Sequence, residues 1–495
     1  MAFHRFGIFL AALLACFLGD AILSSVLGDS ESLTNGDSSQ IPEIHYPRIV
    51  GFGPNHPFLF KIPATGSAPL VFSADGLPKG LTLNPETGVI SGKTEASGET
   101  DVTIVAKNPL GKATAKLALI CGPGKLAQTP PMMWEADNVF GVGVTAADIR
   151  SAADQLVATG LAGHGYQYLL IGDSWEGKRD AEGALRPNYR FSDMKALAAY
   201  VHSKGLKLGL YSSATSQTPS GFAGSLGYEA KDAATFASWG IDYLTYDWTP
   251  TETEGTLDPQ KPFAAMGTAI IGADRDVIYA LRVPRRMSEP DSVGDEIFEA
   301  RSGIYDKDSV IHQDALLQEA VAADFGPGHW IGHGILFVGR YGYPDLHLSH
   351  LTAQEQMMQM TLWSLFSAPL TLSCDLNHLD PNKFNRATTS ILTNDEVIAV
   401  DQDPGAKPPV VVSNRYGRSV WMKPLADGRV AVAFVNVTDG PDMFSVSWAD
   451  LNITGAQPVR DLWSHTDLPS ATDQFSLLVQ PHAAAMVIIG KSAGS

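Results

Sequence analysis

The sequence predicts a central (β/α)8 TIM barrel, preceded by a β-sandwich and followed by an antiparallel β-sandwich. Three observations carry this reading. Short, closely spaced strand-like runs fill residues 46–122. Strand and helix signals then alternate across 123–404. After Pro404 the strand pattern returns and continues through 405–495. A length of 495 residues leaves room for several domains. Hydrophobic residues are 44% and charged residues 18%, the composition of a folded chain. Lys and Arg number 35 against 53 Asp and Glu, a net charge of -18. That balance repels a phosphate backbone, so no nucleic-acid partner is expected.

The first segment reads as a leader. His4 and Arg5 precede an apolar run over residues 6–18, and small residues follow at Ala21 and Gly28. Residues 1–28 are therefore expected to be a signal peptide, which makes the protein secreted or periplasmic. Leu13-Leu14-Ala15-Cys16 loosely resembles a lipoprotein box. The apolar run continues past Cys16, so simple export is favoured over a lipid anchor. No later stretch is long and apolar enough for a transmembrane domain. Cys121 and Cys374 are too few for a disulfide framework or a zinc cluster.

Residues 29–45 are rich in Ser, Asp and Gly and read as a linker. In the sandwich, strand-like runs at 69–73, 88–92, 101–105 and 115–119 are separated by turn formers. One is Gly76-Leu77-Pro78-Lys79-Gly80-Leu81; another is Asn84-Pro85-Glu86-Thr87. Their order resembles the immunoglobulin-like domains found beside bacterial secreted enzymes. In the centre, eight candidate strands lie near 132–134, 168–171, 206–211, 243–247, 277–281, 297–301, 335–338 and 370–375. Helical periods fall at 146–157, 193–203, 231–239 and 353–366. A doubly wound sheet is the alternative arrangement of these elements. The C-terminal runs are 410–413, 419–423, 430–437 and 484–489.

A barrel keeps its chemistry at the C-terminal ends of its strands. Trp134, Glu135 and Asp137 end the first expected strand, and Asp173 and Trp175 the second. Tyr211 and Ser213 follow on the third, Asp247 and Trp248 on the fourth, and Arg282 on the fifth. The sixth carries Arg301, Tyr305, Asp306 and Asp308, and the eighth ends at Asp375. Tryptophan faces stack on pyranose rings and carboxylates take sugar hydroxyls, so this set suits carbohydrate. Glycoside cleavage further needs two carboxyl groups across the scissile bond. Each strand-end Asp taken alone also fits a helix N-cap.

Several runs carry a family resemblance. Thr129-Pro130-Pro131-Met132-Met133-Trp134 is similar to the TPPMGWNSW opening of α-galactosidases of glycoside hydrolase family 27. Ile171-Gly172-Asp173-Ser174-Trp175 resembles their IDDCW. Residues 200–209 match YVHSKGLKLG, and residues 239–247 resemble WGxDYLKYD. Gly326-Pro327-Gly328-His329-Trp330 matches GPGxW. Residues 367–370 and 392–404 match two late motifs. The resemblance implies hydrolysis of terminal α-linked sugars by a retaining double displacement, with no cofactor or metal and an oligosaccharide or glycoside as substrate. It makes Asp247 the nucleophile, gives Asp173 to sugar hydroxyls, places Trp134 in the sugar platform, and matches Arg301 to the Arg before the acid.

The chain departs from that pattern at the site itself. Gly172 replaces the first Asp of IDD, and Ser213 an Asp after Tyr-Ser. Thr245 stands for a Lys, Arg282 lies near a usual Glu, and residues 331–335 replace NDPDM. An ungapped match puts Tyr305 in the acid's slot, with Asp306 one residue away. The expected site is thus Asp247 and Asp306 for catalysis, with Trp134, Asp173, Trp175, Trp248, Arg301 and Tyr305 around the sugar. Two rival readings remain: a carbohydrate-binding protein on a degenerate glycosidase scaffold, and a glycosidase for a sugar other than galactose. Gly141-Val142-Gly143 and the His329/His333 pair fit nucleotide and metal motifs only on paper.

Overall fold

The computed structural model describes residues 40–250, 258–282, 325–379 and 386–491. The leader, most of the linker and the sixth expected barrel strand at 297–301 lie outside the described residues.

Seven parallel strands form the central sheet: β1 (Met132–Glu135), β2 (Tyr168–Ile171), β3 (Lys207–Ser213), β4 (Tyr243–Asp247), β5 (Ile278–Arg282), β6 (Ile335–Leu336) and β7 (Leu370–Leu372). Their order is β5-β4-β3-β2-β1-β7-β6. Neighbours in sequence are neighbours in space, and β7 returns beside β1. That is the winding of a (β/α)8 barrel rather than a doubly wound sheet, whose order reverses at a switch point. The two ends of the sheet, β5 and β6, flank the place in the order where a strand at 297–301 would enter.

Alternation along each strand sorts the core. Met133, Leu170 and Tyr243 pack together with Tyr168, Ile278 and Ala280 inside the barrel. Trp134, Leu169, Ile171, Leu210 and Leu244 face the helices on the other side. The helix Ala146–Ala158 starts at a capping box in which Thr145 and Asp148 exchange hydrogen bonds. The helix Ala353–Leu365 opens on the same device, from Thr352 and Glu355. Met194–Ser203 and Glu229–Trp239 complete the expected helical set.

The N-terminal sandwich has a four-stranded sheet of Ile49–Phe52, Gly111–Cys121, Gly98–Asn108 and Val71–Asp75. It faces a three-stranded sheet of Phe58–Lys61, Val89–Gly92 and Leu81–Leu83. Glu43–Ile44, expected in the linker, pairs with Ala64–Thr65. Ile44 and His45 are buried there, so the ordered packing begins before residue 46. This sandwich sits against the N-terminal ends of the barrel strands. Gln167, just before β2, donates to the Lys61 carbonyl at 2.7 Å. Asp276, just before β5, takes the Gly53 amide and meets His56 Nδ1, both at 2.7 Å.

The C-terminal sandwich joins a six-stranded antiparallel sheet to a hairpin-like pair, Asp442–Ser447 with Gln474–Val479. The late motif is the hinge between this domain and the barrel. Asn394 caps the helix Asp395–Asp401 and donates to the Leu462 carbonyl at 2.9 Å. Gln402 reaches the Pro130 carbonyl at 2.8 Å. Lys423, fully buried, donates to the Val400 carbonyl and the Ser367 hydroxyl. Cys121 and Cys374 are free thiols. Among the described residues, no helix is long and apolar enough to cross a membrane.

Candidate active site

Asp247 ends β4 and is 5% exposed. Its Oδ2 accepts two hydroxyls, Tyr211 Oη at 2.6 Å and Thr249 Oγ1 at 2.8 Å. Among the described residues no hydrogen bond engages Oδ1. Burial, then the charge of Asp247, raises the Tyr211 phenol far above its ordinary pKa. Tyr211 therefore stays protonated and donates to the carboxylate beside it. The backbone carbonyl of Asp247 is also held, by Ala214 N at 2.7 Å and Ser213 Oγ at 3.3 Å. Arg282 stands opposite Asp247 in the backbone register of β4 and β5.

At the end of β2, Asp173 accepts the Ser220 amide on Oδ2 at 2.8 Å. Its Oδ1 is buried and has no partner among the described residues. The Asp173 charge reaches the Tyr211 phenol, so the β2, β3 and β4 ends converge on one mouth. Ser174 follows with φ of 119°, a left-handed value for a residue with a Cβ. Its carbonyl is pinned by Asn188 Nδ2 and an Arg190 guanidinium nitrogen, both at 2.7 Å. Glu176 lies deeper, at 1% exposure. Oε2 accepts the Ser174 amide at 3.0 Å, while Oε1 has no partner among the described residues. Burial pushes its carboxyl well above the usual range, and the charges of Asp173 and Asp137 add to that.

The expected tryptophans take other places. Trp134 is 1% exposed and donates its indole N–H to the Cys374 carbonyl at 2.8 Å. Trp175 is fully buried, donates to the Tyr211 carbonyl at 2.8 Å, and packs edge-on against Phe236 and Trp239. Trp248 is likewise a core residue, its amide bound to the Arg282 carbonyl. The physical reason is strand alternation: Met133 turns into the barrel, which sends Trp134 toward the helices. Asp375 caps the short helix Leu376–His378. Arg301, Tyr305 and Asp306 lie outside the described residues. Sequence reasoning missed Thr249 and Glu176. Each stands two or three residues past a motif Asp, and only that proximity signalled it.

His329 is exposed in a tight turn with Gly326, and His333 packs against Trp363 and Phe366. They do not converge as ligands. Gly141–Gly143 form one short helical turn after β1, against Tyr343.

Comparison with known proteins places these features in context. Residues 143–403 match the family described as "Alpha galactosidase A", and residues 416–489 the "Alpha galactosidase C-terminal beta sandwich domain". Residues 42–120 match a family described as "Putative Ig domain". The alpha-galactosidase of Cyamopsis tetragonoloba is 36% identical over 375 residues, 74% of this chain and 87% of that protein. Alpha-galactosidase A of Homo sapiens is 32% identical, over 66% of this chain and 79% of its own. Among solved structures, a Bacteroides fragilis protein described as a "putative alpha-galactosidase" superposes with a TM-score of 0.79. It is 28% identical, over 92% of this chain and 98% of its own. Alpha-galactosidase I of Mortierella vinacea gives 0.64 at 27% identity, over 75% and 99%.

Proposed function

We infer the reaction from one premise: this chain belongs to the alpha-galactosidase family, glycoside hydrolase family 27, and is a glycoside hydrolase. The reaction we propose is removal of a terminal α-linked sugar with retention. One observation carries it. Asp247 presents a carboxylate at a barrel strand end with Oδ2 held by two hydroxyls, and among the described residues no hydrogen bond engages Oδ1. Oδ1 would bond to the anomeric carbon as the leaving oxygen takes a proton. Water would then release the sugar by the reverse route. The acid belongs to Asp306 or Tyr305. A retaining pair needs a carboxyl about 5–5.5 Å from Asp247, and an unperturbed Tyr pKa of about 10 makes Tyr305 the poorer donor.

A panel of aryl α-glycosides tests this directly. The native protein should turn over at least one of them and release the α-anomer first, as read by proton NMR. Asp247→Asn should lose about a thousandfold or more in kcat. Unchanged turnover in that variant would remove Asp247 from the mechanism, and no turnover of any substrate would favour a sugar-binding role. A second reading, a sugar other than galactose, is favoured by Thr245, which carries no cation at the position where the resembling motif has Lys. Export through cleavage of the 1–28 leader is part of the proposal. Sequencing the amino terminus of secreted material checks it.

A further inference from the structure

The ends of β1 and β2 hold a matched pair of residues that the reaction above does not use. Gly172 does not have a left-handed φ, so its backbone suits any L-residue. What excludes a side chain there is space. A Cβ on Gly172 would lie 1.6 Å from Asp137 Oδ1, 2.2 Å from its Cγ and 2.3 Å from its Oδ2. All three nearest atoms belong to one carboxylate. Asp137 therefore fills the volume that a side chain at 172 would hold. In the resembling motifs an Asp stands at 172 and the last Trp of TPPMGWNSW falls at 137. This chain exchanges both.

We propose that Asp137 is a substrate-recognition residue that supplies, from the end of β1, the hydroxyl-binding carboxylate that Gly172 cannot supply from β2. The proposal rests on the glycoside hydrolase reading of this site. Asp173 beside it has a buried Oδ1 with no partner among the described residues. Glu176, almost fully buried, has an Oε1 with no partner among the described residues and lies within reach of the charges of both aspartates. Two carboxylates can accept hydrogen bonds from sugar hydroxyls, and Glu176, whose carboxyl burial pushes up, can donate one. The pair of negative charges selects a neutral terminal pyranoside and rejects a uronic acid.

Binding to the catalytically silent Asp247→Asn protein separates the outcomes. D-Galactose, L-arabinose and D-galacturonate are titrated by calorimetry. At least one neutral sugar should bind, with galacturonate at least tenfold weaker. Adding Asp137→Ala should weaken the neutral sugar about tenfold or more. Adding Gly172→Asp to that variant, where the clash is gone, should regain most of the loss. Asp137→Asn, which keeps the shape, guards against misfolding and should weaken binding severalfold, with thermal melts confirming the fold. Binding within twofold of the parent in folded Asp137→Ala or Asp137→Asn overturns the proposal. So does failure of Gly172→Asp to restore it. If no neutral sugar binds the parent, the glycoside reading falls first and takes this proposal with it.

Discussion

Asp247 and Tyr211 form the pair on which activity should turn. Tyr211→Phe removes one of two donors to Oδ2 while leaving the ring in place. A hydrogen bond to a charged group contributes about 1.5–3 kcal/mol, so kcat/KM should fall roughly ten- to a hundredfold. A kcat/KM within twofold of the parent would mean that the phenol only fills space. Ser174 shows a different economy. Its left-handed backbone is held by two hydrogen bonds to its carbonyl, so Asp173 is aimed by a strained neighbour.

At the level of elements, the strand ends divide their carboxylates between chemistry and construction. Asp247 and Asp173 face the mouth, whereas Asp375 is spent on a helix cap. The close fit of β1 against β2 predicts a cost for the smallest change. Gly172→Ala introduces a Cβ into the Asp137 carboxylate and should destabilise the fold by about 1–3 kcal/mol, as measured by urea unfolding. The same substitution in an Asp137→Ala background should cost little, because the two sites share one volume. Equal costs in both backgrounds would show that space at Gly172 is not the constraint.

Across the whole molecule, both sandwiches serve the barrel from outside its mouth. The immunoglobulin-like domain closes the N-terminal ends of the strands, away from Asp247. Its seam is a cluster of His45, His164 and Asp395, with ring nitrogens 3.1 and 2.9 Å from the carboxylate. Burial pulls the His45 imidazole from 6.5 down to about 4, against the pull of Asp395. The unfolded chain thus binds more protons than the folded one across that window. Stability from this site is complete above about pH 6.5 and is lost as pH falls toward about 4, by roughly 3 kcal/mol. On the other seam, Arg460 and His465 outweigh burial and hold Glu396 down at about 2. That contribution is lost only below about pH 4.5. Melting temperatures between pH 7 and pH 4.5 should fall, and His45→Gln should flatten the fall. A slope that His45→Gln leaves unchanged would place the sensitivity elsewhere.

The sequence by itself determined the architecture, because strand and helix periods are local and were dense enough to count. Seven of the eight expected barrel strands stand where their apolar runs lie, and the place of Asp247 at a strand end was legible in the same way. The tertiary structure decided which strand-end side chains meet. Trp134 and Trp175 read as substrate-binding residues in the linear chain, yet alternation and helix packing bury both. Glu176 gained its raised pKa from a dry site that no spacing announces. Asp137 and Gly172 are 35 positions apart, and nothing local couples them. Only the pairing of β1 with β2 sets one carboxylate over the other residue's α-carbon, because contact across a barrel is fixed by register between strands.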